Sequence, residues 1–449
     1  MIKFKITLLV LLFPVIAAAN YAIVGVGEAE LERDKIVFQK TSLPKDLTPI
    51  ENSRIKKFID TFKDDFSFYV DKFDVLDEKL FIQSEIKNNS DYIYWINKKV
   101  NILFSLRFWI NKTNVHFGLS VYKVSLNQKI YETNGVIQQG KRLTSQVHKL
   151  ADLSFRKITG GPSIFNSKIV FVSDRDTPAG NKIKDNIKEL YVMDFNGENK
   201  KRLTYHRGLV ISPSISHDGT KILYSLIKGG KGRKNVDLYL FDLNKNSARL
   251  ISRKKGLNSG AIFSRDDNVI YLTLSHVGNA EIYSMSLDKR RLRRITRHYA
   301  SDVDPSITDD GSKMVFLSNR AGKAMIYTMD PRATEKDVRR ISYVGDYNAT
   351  PRFSPDGQEI VFSSWLDKRF DLFKINPDGT GLSRLTKNFG SNEDPVYSND
   401  GEFIAFANLM VESMYKKKQA IYLMTREGKV IKNLTQGFGN CQGPRWSRF

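Results

Sequence analysis

The sequence predicts a six-bladed, all-β propeller preceded by a small α/β domain. Three observations predict it. A unit of about 45 residues made only of strand signals repeats along the last two thirds of the chain. Its third strand occurs six times, and its missing first strand turns up at the far end of the chain.

Each unit opens on an inner strand of the form P-x-[FIV]-S followed by an Asp-Gly turn, as at Pro213, Pro305, Pro351 and Pro395. Asp-Gly supplies the positive φ that a tight hairpin needs. The turn Asp recurs at 218, 266, 310, 356 and 400. Its carboxylate can bond the amides of its own turn, which is reason enough for it to recur. A second apolar strand follows, then a third beginning at Glu189, Asp237, Glu281, Met325, Asp371 and Ala420. A short outer piece, R-[LI] plus a small or apolar residue, closes each unit at Arg202, Arg249, Arg294, Arg340 and Arg384, with Asn433 in the sixth. Strands rich in Ile, Val, Phe and Tyr suit sheets packed between neighbouring blades. Blade three is degenerate: Ala261 replaces Pro, and Asp266-Asp267 replaces Asp-Gly. Blade one carries a polar insertion after Thr177.

The ends set the blade count. The first blade begins at its second strand, Lys168 onward, with no inner strand before it. The inner-strand pattern reappears as Pro444-Arg445-Trp446-Ser447 with no turn after it. The tail is therefore expected to pair into blade one and close the ring, which removes the open sheet edge.

Ahead of the repeat, residues 1–19 read as a cleaved secretory signal peptide: Lys3 and Lys5, an apolar run Ile6–Ile16, then Ala17-Ala18-Ala19. Eleven apolar residues rise only about 16 Å as a helix, too short for a hydrocarbon core of ~30 Å. No Cys follows to take a lipid, and no later segment reads as membrane-spanning. Residues 20–160 read as the α/β domain, with an arm over 20–30. Ile55, Phe58, Ile59 and Phe62 mark one helical face after Thr48-Pro49. Strands are expected from Val100, Val115 and Lys129. Leu143, Val147, Leu150, Phe155 and Ile158 mark a second helix that stops at Gly160-Gly161, from which a short linker leads to a propeller over 161–449.

Composition narrows the function. Lys+Arg is 71 against Asp+Glu 49, a formal charge of +22. The basic residues are dispersed instead of striped with aromatics, so nucleic acid is not the expected partner. Weak attraction to envelope polyanions and solubility are the expected uses. One Cys in 449 residues excludes a disulfide framework and a Cys-based metal site. No HExxH, G-x-S-x-G, GxGxxG or P-loop string occurs, and His148 sits on the second helix as a packing or domain-contact residue. The Asp-Gly turns resemble sialidase boxes, but with the Gly one place early and without an identifiable arginine cluster. Gly229 to Lys234 reads as a solvated basic hairpin loop.

What remains is the channel mouth. Loops leading into the inner strands are expected to converge there on a rigid scaffold. They carry Asp302, Asp304, Asp346, Glu393 and Asp394, with Asn348 and Thr350 between, which suggests an acidic rim suited to a cationic peptide or a divalent ion such as calcium.

These features resemble one family. Signal peptide, small α/β domain and a six-bladed propeller closed by P-x-W-S resemble TolB, the periplasmic component of Tol–Pal systems. The junction is the more specific part: His148, Ala151-Asp152, Ile158-Thr159-Gly160, Ile164-Phe165 and the strand Ile169 to Ser173 follow the family pattern. The resemblance implies a non-enzymatic periplasmic scaffold, and a monomer is expected. It implies a Pal-like lipoprotein at the mouth, held by Leu257, Asn258, Ser259, Gly260, Asp302, Val303 and Asp304. A TolA-like inner-membrane protein would meet the arm through Tyr21, Ile23 and Val24. The system it implies supports outer-membrane integrity and constriction at division. An exported propeller hydrolase or lyase, or a module binding cell-wall polysaccharide, are the competing readings.

Overall fold

In the computed structural model, the described residues are 33–39, 43–77, 79, 81, 86, 88–112, 114–177, 187–228, 235–333, 335–413 and 416–447. The signal peptide, the arm with Tyr21, Ile23 and Val24, most of the blade-one insertion and the basic loop at 229–234 lie outside them.

The N-terminal layer is a five-stranded sheet in the order β2-β1-β3-β4-β5, backed by helices. Its elements are β1 (Asp34–Phe38), α1 (Pro49–Ser67), β2 (Phe73–Leu76), α2 (Asn89–Asn97), β3 (Ile102–Asn111), β4 (Asn114–Lys123), β5 (Gln128–Val136) and α3 (Lys141–Thr159). β1 pairs in parallel with both β2 and β3, whereas β3, β4 and β5 form an antiparallel meander. Thr48 caps α1 in a capping box with Glu51, and Pro49 fills the first turn, where its missing N–H costs nothing. Gly160 ends α3 at φ 78°, in the left-handed region that favours glycine.

Six four-stranded sheets follow. Cys441–Trp446 pairs antiparallel with Lys168–Ser173, so the tail is the inner strand of blade one, as expected from the repeat. Each hairpin after an inner strand is closed by its own Asp: Asp218 accepts from Ser216 Oγ (2.6 Å) and the Thr220 amide (2.9 Å). Where blade three lacks the Gly, Asp267 itself adopts φ 56° and its carboxylate takes the His217 and Asp218 amides of blade two. The lost glycine has thus become an inter-blade tie.

The outer-strand pattern has an equally local cause. In blade three Thr296 Oγ1 accepts the Ile282 amide and donates to Glu281, which also takes Arg294 at 2.7 Å. Acid, Arg and Thr together pin the outer strand to the third. Blade six has Ala420 in place of the acid and Asn433 in place of the Arg, so both halves of the pair are absent together.

The segment expected to be a linker is part of the core. Ile164 and Phe165 are buried in one cluster with Phe66, Phe104, Phe155, Phe195 and Phe403, which runs from the N-terminal sheet into blades one and six. The cause is apolar: a short run carrying Ile and Phe is worth more buried between two sheets than solvated. The Tyr69 hydroxyl donates to Asp400 (2.5 Å) and accepts the Ile164 amide (2.9 Å). His148 Nδ1 meets Asp65 at 2.8 Å, and its ring packs on Phe195, which is the domain-contact role read from the sequence. All these contacts lie at the Asp-Gly-turn end of the inner strands. Among the described residues, the N-terminal layer makes no such contacts at the opposite end, where the chain enters each inner strand.

Candidate functional site

The six inner strands share one irregularity at the open end. In each, the ladder shifts register and one residue has positive φ: Ser212, Gly260, Asp304, Thr350, Asp394 and Gly443, at φ between 49° and 61°. The residue after it is Pro in five strands and Ala261 in the sixth. A bulge leaves one residue unpaired in the ladder, so a residue with no N–H fits there at no cost. This explains the recurring Pro. Blades one and three place Gly443 and Gly260 in the left-handed position, which glycine adopts without strain. Thr350, β-branched, is the most strained of the six.

These bulges line one cavity of about 290 Å³ in the channel. Of the residues expected at the mouth, Leu257, Ser259, Gly260, Val303, Asp304, Thr350 and Asp394 line it together. Only Leu257 lies in a loop: the inner strands begin three or four residues before the Pro, so the others stand in strands and not in the loops expected. Pairing across the bulge continues the strand past the proline, which a Pro-based boundary misses.

Asn258, Asp302 and Asn348 do not face the cavity. They are fully buried and turned back into their blades. Asn258 takes Ser252 Oγ (2.6 Å) and the Lys254 amide (2.9 Å), and donates to the Val236 carbonyl (2.9 Å). Asn348 does the same work with Ser342, Val344 and Ser364. Asp302 is paired with Arg320 at 2.6 Å. With Asn392 they form a column of Asn or Asp three residues before the Pro or its replacement. That column was the available signal that they brace the connection between blades.

The acidic rim is not what the channel presents. Arg352 and Arg445, the variable residues of P-R-F-S and P-R-W-S, turn inward. Arg352 pairs with Asp304 at 2.7 Å, and Arg445 lines the cavity. Lys188 donates to Gln442 at 2.5 Å beside Glu393 and Asp394, and Asp346 pairs with Lys323. Among the described residues no group of three His, Cys, Asp or Glu side chains could hold a metal ion.

Glu393 is pushed up to about 7 by burial and by the adjacent Asp394 charge, against the pull of Lys188. A carboxyl whose folded pKa is raised contributes stability that is complete below its unfolded value and is lost as pH rises through the folded one. Denaturant unfolding of the protein should therefore weaken relative to Glu393→Gln between about pH 4.5 and 7, by up to about 3 kcal/mol, and then level off. Parallel pH curves for the two proteins would refute this placement of Glu393.

Sequence reasoning also missed an aromatic fringe. At the open end the connections carry Tyr205, Tyr299 and Tyr343, and the strand ends there add Tyr347 opposite Trp365, all exposed, Tyr299 at 85%. Arg202 and Arg340 stack on Tyr205 and Tyr343 at 4.3 Å and hold those rings out.

Comparison with known proteins now bears on this architecture. The family model described as the TolB beta propeller domain matches residues 155–449. The chain belongs to the TolB beta-propeller family. Two relatives named Tol-Pal system protein TolB, from Francisella tularensis subsp. mediasiatica (strain FSC147) and F. tularensis subsp. tularensis (strain FSC 198), are each 26% identical over 308 residues. The match covers 67% of this chain and 68% and 67% of theirs. The crystal structure of TolB from Acinetobacter baumannii superimposes with a TM-score of 0.72 at 21% identity, covering 92% of this chain and 96% of that one. This TolB-family chain therefore shares its whole fold, N-terminal layer included, with a solved TolB. No helix among the described residues is long and apolar enough to cross a membrane.

Proposed function

We propose that this TolB-family protein is a non-enzymatic periplasmic scaffold of a Tol–Pal-like system. Its open propeller end binds a Pal-like peptidoglycan-associated lipoprotein. Its N-terminal arm, residues 20–30 with Tyr21, Ile23 and Val24, binds a TolA-like inner-membrane protein. Together these contacts support outer-membrane integrity and constriction at division. The observation that carries the reading is the exposed aromatic fringe around the channel mouth. Rigid, partly apolar rings held out over a rigid scaffold are the anchors that protein interfaces use. They lie at the end of the propeller that the described residues of the N-terminal layer leave uncovered.

The test is capture from crosslinked envelopes with the full chain as bait. A Pal-like lipoprotein should be recovered, and Tyr299→Ala with Tyr343→Ala should cut its recovery about ten-fold or more with folding unchanged, as loss of two interface anchors would. Recovery equal to that of the unaltered protein would remove the mouth from the interface. Turnover of peptides or glycans by the purified protein would overturn the scaffold reading in favour of a propeller hydrolase or lyase.

A further inference from the structure

The channel contains one acid–base arrangement twice, once closed and once open. Asp304, Arg352, Asp394 and Arg445 stand on the inner strands of blades four, five, six and one, so acid and base alternate around four neighbouring blades. The two acids occupy the bulge position of their strands, and each Arg lies two residues beyond the bulge of its own. Arg352 reaches back one blade and closes on Asp304 at 2.7 Å. Arg445 has the same relation to Asp394, yet that contact is not made. Among the described residues its guanidinium meets only the Pro444 carbonyl, at 2.7 Å, and the Asp394 carboxylate meets no donor. Arg445 is 8% exposed and Arg352 is 7% exposed, the latter with its Nε unpartnered.

A guanidinium offers five donors in a fixed planar fork, and burying it without acceptors is unfavourable. Its shape matches a planar two-oxygen anion. We propose that the channel is a carboxylate-binding site in which Arg445 forks the carboxylate beside Asp394, with the bulged inner strands forming the walls. The neighbouring charges select the class of ligand. Asp304 and Asp394 disfavour a dianion such as phosphate. Arg352 is already matched by Asp304, so an incoming anion faces Arg445 with Lys188 nearby, and a single negative charge suits that pair of cations beside Asp394. Val172, Leu257 and Val303 line the same cavity and suit a short aliphatic stem. The carboxylate belongs either to a small free acid or to an acidic side chain of a docking protein. The site rests on the channel geometry and not on the Pal-like partner, so it stands or falls separately.

The test uses the full chain and follows the Arg445 Nε–Hε resonance by NMR at constant ionic strength. One arm titrates sodium propionate, with sodium chloride and sodium sulfate as controls. The other titrates a capped Gly-Glu-Gly peptide against its Gly-Gln-Gly twin. Saturable shifts with propionate place the ligand among small acids, and shifts with the glutamate peptide alone place it on a protein. Arg445→Met should weaken binding about ten-fold or more, since it removes a charge-assisted fork. Asp394→Asn, which relieves repulsion without touching the closing strand, should tighten it several-fold. The site is refuted if neither carboxylate shifts the resonance, if chloride or sulfate acts equally, or if Asp394→Asn weakens binding. Should Arg445→Met fail to fold, the Asp394→Asn result decides. Loss of envelope capture with an intact titration would count against the partner reading alone.

Discussion

Deleting residues 441–449 is expected to unfold the protein, not merely to shorten it. They include Cys441–Trp446, the inner strand of blade one, paired from Cys441 opposite Ser173 to Trp446 opposite Ile169. Beyond the ladder, Ser447 exchanges two bonds with Lys168, each 2.8 Å, and Trp446 Nε1 donates to Ser167 at 2.6 Å. Without the strand, Lys168–Ser173 becomes an unpaired edge facing the channel, and the ring loses the contact that holds blade six to blade one. The buried Trp446 alone accounts for about 3–5 kcal/mol when truncated to Ala. A typical domain has about 5–15 kcal/mol in all, so losing the whole strand exceeds what the fold can spare. The deletion should give aggregated or protease-sensitive protein, and Trp446→Ala a folded protein with a lowered denaturation midpoint. A deletion variant that elutes as a monomer with protected Lys168–Ser173 amides in hydrogen exchange would show that the ring does not need its tail.

The closure and the blade count were legible because both rest on a repeat, and a repeat is its own control: one missing strand and one surplus strand must match. Other parts were hidden for physical reasons. β1 is five residues long and lies far in sequence from the strands it joins, so nothing local marks its parallel pairing. α2 carried a readable signal, Asn88 with Asp91 as a capping box, beside a stretch whose aromatic content suggested strands. At the mouth, the sequence located the right segments but not their facing. A bulge shifts the alternation of side chains by one, so Asp304 points into the channel whereas Asp302 is buried against Arg320. The inward arginines occupy a position that holds Ser, Ile or Val in other blades, and no pattern announces them. Three of the five fringe aromatics, Tyr205, Tyr299 and Tyr343, lie in connections that vary from blade to blade, which a repeat-based reading discards.

Phe66→Ala should lower the stability of the propeller as much as that of the N-terminal sheet. Phe66 is fully buried in α1 and packs on Phe38, Phe62, Phe73, Phe104, Phe155 and Phe165 with ring centroids 4.8–6.5 Å apart. Truncation leaves a cavity among rigid rings that cannot collapse, at a cost of about 3–5 kcal/mol. The location of that loss matters more than its size. Phe155 and Phe165 also pack on Tyr69, whose hydroxyl is bonded to Asp400 of blade six, and Phe165 packs on Phe195 of blade one. A cavity at Phe66 therefore loosens the same cluster that seats the N-terminal layer on the ring. Urea unfolding of the protein with all its tryptophans, followed by the indole N–H resonances, would separate the two outcomes, with Trp95 reporting the N-terminal sheet and Trp446 the propeller. If the core is shared, both probes should give one coincident transition, and Phe66→Ala should move both midpoints together. A shift seen by Trp95 with the Trp446 transition unmoved would mean that the two parts are joined but not coupled.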